Sequence, residues 1–292
     1  MKSQLPQVNQ TLIQVALGEK PADLVLKQGT LVNVITGELN KNIDVAISGN
    51  RIAYVGHADH TIGPETKVID LEGKYLAPGL MDGHMHVEST MLTVTEFARM
   101  ALTKGTTSIF MDPHEMANVF GKEGVRHMHE EGRELPLHVF TTFPSCVPST
   151  ADFEDAGASI TVADVEEGLT WDGVVGLGEM MNLPGVVNRD PLMLGVINAT
   201  LNAGKTVTGH FPDGTDQMLQ AYLASGADSC HETITREKAL EKLRLGMHLM
   251  IREGSAWHDV KELAKVITID KVNTDQIMLV TDDIYPQTLV EK

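Results

Sequence analysis

From Leu76 onward the sequence repeats one pattern: a short apolar run, a turn, then a segment with apolar residues three and four apart. The apolar runs lie at 79–86, 106–112, 137–142, 174–179, 206–210, 227–231, 247–252 and 277–282. Between them, 93–104, 119–131, 162–169, 191–203, 215–225, 237–245 and 256–266 carry a helical period. Eight strands alternating with seven helices predict a (β/α)₈ barrel, a fold that takes about 250 residues. A doubly wound sheet fits the alternation alone but not the placement of the ionisable residues.

In a barrel of this kind the C-terminal strand ends face the active site. Here the first predicted strand ends in His84 and His86, and the second in Asp112, Pro113, His114 and Glu115. The fourth ends in Glu179, the fifth in His210, the sixth in His231 and Glu232, the eighth in Asp282 and Asp283. Six of eight strands thus deliver metal-type ligands to one rim. Residues i and i+2 of a strand share a face, so His84 and His86 reach a single ion. A lone strand-end histidine is more often structural, but the pattern around the ring reverses that weighting for His210 and His231. Glu179 follows an apolar run, where an unpaired carboxylate is costly, and a ligand role accounts for it better than a helix-end role. His57, His60, His127, His129, His138, His248 and His258 fall in presumed helices and loops and are assigned structural roles. His127 and His129 lie two apart on a helix, where their side chains point away from each other.

Imidazoles and carboxylates without thiolate suit Zn²⁺, Mn²⁺ or Fe²⁺ and do not choose among them. Four histidines and two carboxylates exceed the needs of one open catalytic ion, and two ions sharing a carboxylate and a hydroxide account for them. Asp282 is placed to take the proton of the attacking water and return it to a leaving group, with Glu179 and His231 completing the catalytic set. Metal-assisted hydrolysis of a C–N bond is the expected reaction class.

The first 75 residues have a different texture. A short helix is expected over 11–17, then strands over 23–27, 30–35, 44–48, 51–55, 68–71 and 74–76. Gln28-Gly29 and Thr36-Gly37 read as turns, and Gly49-Asn50 as a hairpin. No cluster there points to chemistry, so 1–75 is expected to be a small β-rich structural domain and 76–292 the barrel. Acidic residues outnumber basic ones 40 to 23, for a formal charge of −17, and no basic run appears. Nucleic acid is therefore an unlikely partner. Two cysteines, Cys146 and Cys230, give no disulfide framework. The opening Met1-Lys2-Ser3-Gln4-Leu5-Pro6-Gln7 lacks a signal-peptide core, and no apolar run approaches the ~20 residues of a membrane span. A cytoplasmic protein without membrane association is expected.

The string Pro78-Gly79-Leu80-Met81-Asp82-Gly83-His84-Met85-His86-Val87-Glu88-Ser89 resembles the first metal-binding strand of the amidohydrolase superfamily. Together with 111–119, 177–182, 252–256 and 281–283, it is similar to the bacterial adenine deaminases, a likeness running from about Leu12 to the end. The resemblance implies conversion of adenine to hypoxanthine and ammonia at two divalent ions, Mn²⁺ or Fe²⁺ foremost. It implies His84, His86, Glu179, His210, His231 and Asp282 as ligands, Glu179 bridging the ions where many relatives carry a carbamylated lysine. Ser89, Asp112, His114, Glu115 and Arg252 are implied as ring contacts or proton shuttles, and the complete enzyme as a homodimer. Phe211-Pro212-Asp213-Gly214, Cys230 and Ile284-Tyr285 depart from the family pattern and leave open a substituted adenine or another amino-heterocycle as substrate. Family members continue beyond the eighth strand, so this chain is expected to be an N-terminal portion lacking the last barrel helix. It would then be weakly active alone, or a fragment needing a complementary chain.

Overall fold

The structure is a computed structural model that describes residues 5–150 and 153–291. The readings placed on Met1–Gln4 and Lys292 lie outside the described residues. The chain divides into two compact units, Met1–Pro78 and Gly79–Lys292.

The first unit contains α1 (Leu5–Ala16), β1 (Leu24–Asn33), β2 (Glu38–Ser48), β3 (Arg51–Gly56), β4 (Lys67–Asp70) and β5 (Tyr75–Leu76). β2 lies antiparallel to both β1 and β3, while β4 and β5 both run parallel to β1. Val15, Ala22, Val25, Ala46 and Ala58 form its core. The turn expected at Gln28-Gly29 is instead a bulge inside one continuous strand. Gln28 takes a positive φ of 59°, and its N–H donates to the buried Asp44 carboxylate at 2.9 Å. Local chemistry that favours a turn serves equally to bulge a strand, and here the pairing with β2 decides for the strand.

The second unit alternates as the apolar runs predict. It comprises β6 (Leu80–His86), α2 (Val94–Thr103), β7 (Thr106–Met111), α3 (His114–Arg133), β8 (His138–Phe143), α4 (Val162–Gly168) and β9 (Val174–Met180). There follow α5 (Leu183–Val187), α6 (Pro191–Asn202), β10 (Thr206–Gly209), α7 (Asp216–Ala224), β11 (Ser229–Cys230), α8 (Arg236–Arg244) and β12 (His248–Arg252). The unit ends with α9 (Val260–Leu263), α10 (Lys265–Thr268), β13 (Ile277–Val280), β14 (Asp282–Asp283) and α11 (Pro286–Glu291). All strand pairs in this unit are parallel, in the order β10-β9-β8-β7-β6-β14 for one sheet and β11-β12-β13 for the other. A bridge between Val207 and Ala227 links the sheets on one side. On the other, β13 and β14 are one strand interrupted at Thr281, and β14 pairs with β6, closing the ring. This is the (β/α)₈ arrangement.

Two boundaries differ from the sequence expectation. The second barrel helix begins at His114, so His114 and Glu115 stand in its first turn and not on the strand. The helix expected over 256–266 is a loop followed by two single turns, because Glu253 and His258 form a backbone bridge and Asp259 is drawn to Arg252. Past the eighth strand, the one helix among the described residues is the six-residue α11, whose Leu289 is buried with Met85, Val94 and Phe97.

Candidate metal centre

Glu179 is the hub. It stands next to last in β9, whose residues are almost all buried, and is itself 3% exposed. Oε2 lies 2.5 Å from His210 Nδ1 and 2.9 Å from His231 Nε2, while Oε1 lies 3.3 Å from His114 Nδ1 and 3.5 Å from His86 Nε2. Asp282 approaches from the opposite seam, its Oδ1 3.2 Å from His86 Nε2 and 3.9 Å from His84 Nε2. His84 stacks on His231 with centroids 4.2 Å apart and meets His86 edge-on. The structure thus brings together His84, His86, Glu179, His210, His231 and Asp282 in one cage. It adds His114, which the sequence reading placed with the substrate.

Each imidazole is aimed by what lies behind it. His86 Nδ1 donates to the Asp112 carbonyl at 2.8 Å, which leaves Nε2 as the free lone pair pointing inward. His84 Nε2 is buried without a hydrogen-bond partner, as are His114 Nδ1 and one oxygen of Asp112. Asp282 holds a positive φ of 59°, the kind of strained backbone that persists where surrounding structure over-determines a site. The charges are correspondingly displaced. Burial opposes ionisation of Glu179, but His231, His210 and His84 hold its carboxyl well below the usual range. Burial and the neighbouring His231 and His86 keep His84 well below an ordinary imidazole, hence neutral, the form that ligates a metal. Against burial, contacts with Asp282, Glu115 and Glu179 push His86 well up, a local excess of negative charge that favours a cation, proton or metal, at Nε2.

A divalent cation fits this cage. Two ligand groups, His84–His86–Glu179 and Glu179–His210–His231, have their donor atoms within 4.8 Å of one another and share Glu179. A third, His84–His231–Asp282, spans the two. Nitrogen and oxygen donors with buried, unpartnered lone pairs are what such an ion requires.

The remaining residues expected at the substrate mostly serve the frame. Asp112 is fully buried, and its Oδ2 accepts from the Glu179 N–H at 2.8 Å; Gly178 allows this approach, since a Cβ there would collide with that carboxylate. The Ser89 hydroxyl donates to the His86 carbonyl at 2.7 Å. Arg252, 1% exposed, uses Nη1 for Glu232 and for Asp282 at 3.1 Å and Nε for Asp259 at 3.1 Å, under the Trp257 ring. Its Nη2 has no partner. Glu115 stays half-exposed, 3.6 Å from His86 Nδ1.

Three tying residues escaped the sequence reading. Asp82 accepts from the Thr281 N–H at 3.0 Å and from its hydroxyl at 2.5 Å, pinning the first strand to the eighth. Tyr222 donates to the Met180 carbonyl at 2.5 Å and accepts from the His210 N–H at 2.9 Å, joining the fourth strand end to the fifth. Lys242 joins the fifth to the sixth. Asp82 adjoins the His-x-His string and was open to detection there; a tyrosine and a lysine on outer helices carried no such signal.

Imidazoles and carboxylates gathered at the C-terminal rim of a (β/α)₈ barrel are the arrangement expected of the amidohydrolase class. The amidohydrolase family profile matches residues 75–285, and the chain belongs to that family. It is 55% identical over 287 residues to the adenine deaminase of Moorella thermoacetica, covering 98% of this chain and 48% of that protein. It is 52% identical over 287 residues to an adenine deaminase of Clostridium botulinum, again with 98% and 48% covered. The chain therefore spans about half the length of the curated relatives it matches. The crystal structure of an adenine deaminase superposes with a TM-score of 0.62 at 18% identity, over 90% of this chain and 73% of that one, a likeness of fold. No helix among the described residues is long and apolar enough to cross a membrane.

Proposed function

We propose that the protein hydrolyses adenine to hypoxanthine and ammonia, using His84, His86, Glu179, His210, His231 and Asp282 to hold two divalent ions. The observation that carries the reaction class is the single buried carboxylate of Glu179 within 3.5 Å of four imidazoles, belonging to His86, His114, His210 and His231. The likeness to named adenine deaminases supports the substrate. Ions bound there lower the pKa of a water and so supply a nucleophile at neutral pH.

The residues supply the rest. Burial works against the charge of Asp282, but His86, His231 and His84 hold its carboxyl below the usual range, so it stands ionised as proton acceptor. Water oxygen bonds to C6 of the purine, the C6–N bond breaks, and Asp282 returns the proton to the departing nitrogen, which leaves as ammonia. His231, fixed between Glu179 and the face of His84, is assigned to the reacting side of the cage. Arg252 aims Asp282 through Nη1 and keeps Nη2 free for a ring acceptor. His114 and Glu115, in the first turn of α3 beside Glu179 and His86, are assigned as partners for the exocyclic amine and ring nitrogens. Mn²⁺ or Fe²⁺ is the expected ion, Zn²⁺ a workable substitute. Homodimer formation and cytoplasmic location accompany this reading.

The test is ammonia and hypoxanthine release from adenine by Mn²⁺-loaded protein beside the His84→Ala variant. Equimolar products that depend on His84, at whatever rate, are expected. Ammonia release equal in the two proteins, or none from folded protein holding two ions, contradicts the assignment.

A further inference from the structure

His210 and His231 are the two imidazoles closest to Glu179, yet the strands that carry them are weakly joined. β10 and β11 meet through the isolated bridge between Val207 and Ala227. Past that bridge, Gly209 approaches the Ser229 carbonyl so closely that a Cβ would collide with it. From there on a side chain takes over. Lys242, on α8, is 1% exposed. Its Nζ donates to the Phe211 carbonyl at 2.7 Å, the Glu232 carbonyl at 3.0 Å and the Thr233 hydroxyl at 2.8 Å, and lies 3.2 Å from Cys230 Sγ. The Phe211 N–H in turn donates to Cys230 Sγ at 3.2 Å.

Phe211 follows His210 in sequence, and Cys230 and Glu232 flank His231. One ammonium therefore grips the neighbour of one imidazole and one neighbour of the other, and lies against the second, Cys230. An ammonium has three donors, and three oxygens receive them. Burying a charge is costly unless its partners are complete, so a residue needed merely to fill space under α8 would be cheaper as leucine or methionine.

We propose that Lys242 is a positioning residue for the candidate metal centre: by clamping the chain beside His210 and His231, it sets their spacing and hence the affinity of the ion they share with Glu179. The inference rests on the two-ion reading above. It assigns Lys242 no contact with substrate. Residues that orient ligands without touching the ion typically change metal affinity about 10–100-fold when replaced.

The experiment is equilibrium dialysis of metal-free protein against graded Mn²⁺, with bound metal counted by mass spectrometry, for wild type, Lys242→Met and Lys242→Gln. Circular dichroism and thermal melts confirm folding. Wild type is expected to bind two ions. Lys242→Met is expected to keep one ion at wild-type affinity and to bind the other roughly 10–100-fold more weakly. Lys242→Gln, which retains two N–H donors, is expected to fall between, and it carries the test if the methionine variant does not fold. Two unchanged sites in a folded variant, or equal weakening of both, overturns the role of Lys242. Fewer than two ions on the wild type removes the two-ion reading itself, and the inference with it.

Discussion

From β6 to β10 the barrel strands are joined by an unbroken run of parallel pairings, whereas the shorter ladder β11-β12-β13 meets that run only at a bridge on one side and through an interrupted strand on the other. The ligands are shared between these halves. His84, His86 and Glu179 stand on the continuous side, His210 at its edge, His231 and Asp282 on the broken one. On the continuous side the ladder fixes the backbone, and single ties such as Ser145 to the Glu179 carbonyl at 2.6 Å and the Glu179 N–H to Asp112 at 2.8 Å add to it. On the broken side buried charges do it: Lys242 between the fifth and sixth strands, Arg252 across Glu232, Asp259 and Asp282, and Asp82 on Thr281. Backbone pairing and hydrogen bonds from buried ionisable side chains are thus alternative ways of fixing a ligand, and the second is the more fragile to single substitutions, because removing one partner strands the others.

Substitutions can break or sharpen this contrast. The largest effect is expected at the residue both halves share: Glu179→Ala should abolish binding of both ions and bring deamination to background, read by metal content and ammonia release. Next is Arg252→Gln on the broken side. Stranding buried carboxylates should cost roughly 3–5 kcal/mol in denaturant unfolding, with activity falling alongside. Tyr222→Phe, at the join of the halves, leaves the Met180 carbonyl and His210 N–H without their partner and should cost about 1–3 kcal/mol, with weaker metal binding. The smallest belongs to the continuous side and lies away from the site. Thr161→Ala removes the capping box of α4 and should cost about 1 kcal/mol by the same measurement, with metal content unchanged. A Thr161 variant that lost metal, or an Arg252 variant as stable as wild type, would erase the distinction.

The sequence makes the fold and the ligand set legible for one physical reason: parallel barrel strands are apolar along their length, so a histidine or carboxylate at a strand end stands out. That is why strand-end position singles out His84, His86, Glu179, His210, His231 and Asp282 as candidate ligands, the same six that the family resemblance implies. Other features depend on distant partners and leave no local trace. Gln28-Gly29 has turn chemistry, yet Asp44 and the pairing with β2 make it a bulge. His114 follows a strand and a proline, and whether it belongs to strand or helix is decided by where α3 starts. Lys242 sits in Arg236-Glu237-Lys238-Ala239-Leu240-Glu241-Lys242, where a lysine reads as a solvated charge; it is buried because the opposing strand ends offer carbonyls.

The account turns on Glu179 joining two ions, and diffraction from Mn²⁺-soaked crystals at the manganese absorption edge tests this most directly. Two anomalous peaks about 3.5–4 Å apart are predicted, one beside His84 and His86, one beside His210 and His231, with an oxygen of Glu179 reaching each. A single peak, or two peaks that Glu179 does not touch, would contradict it.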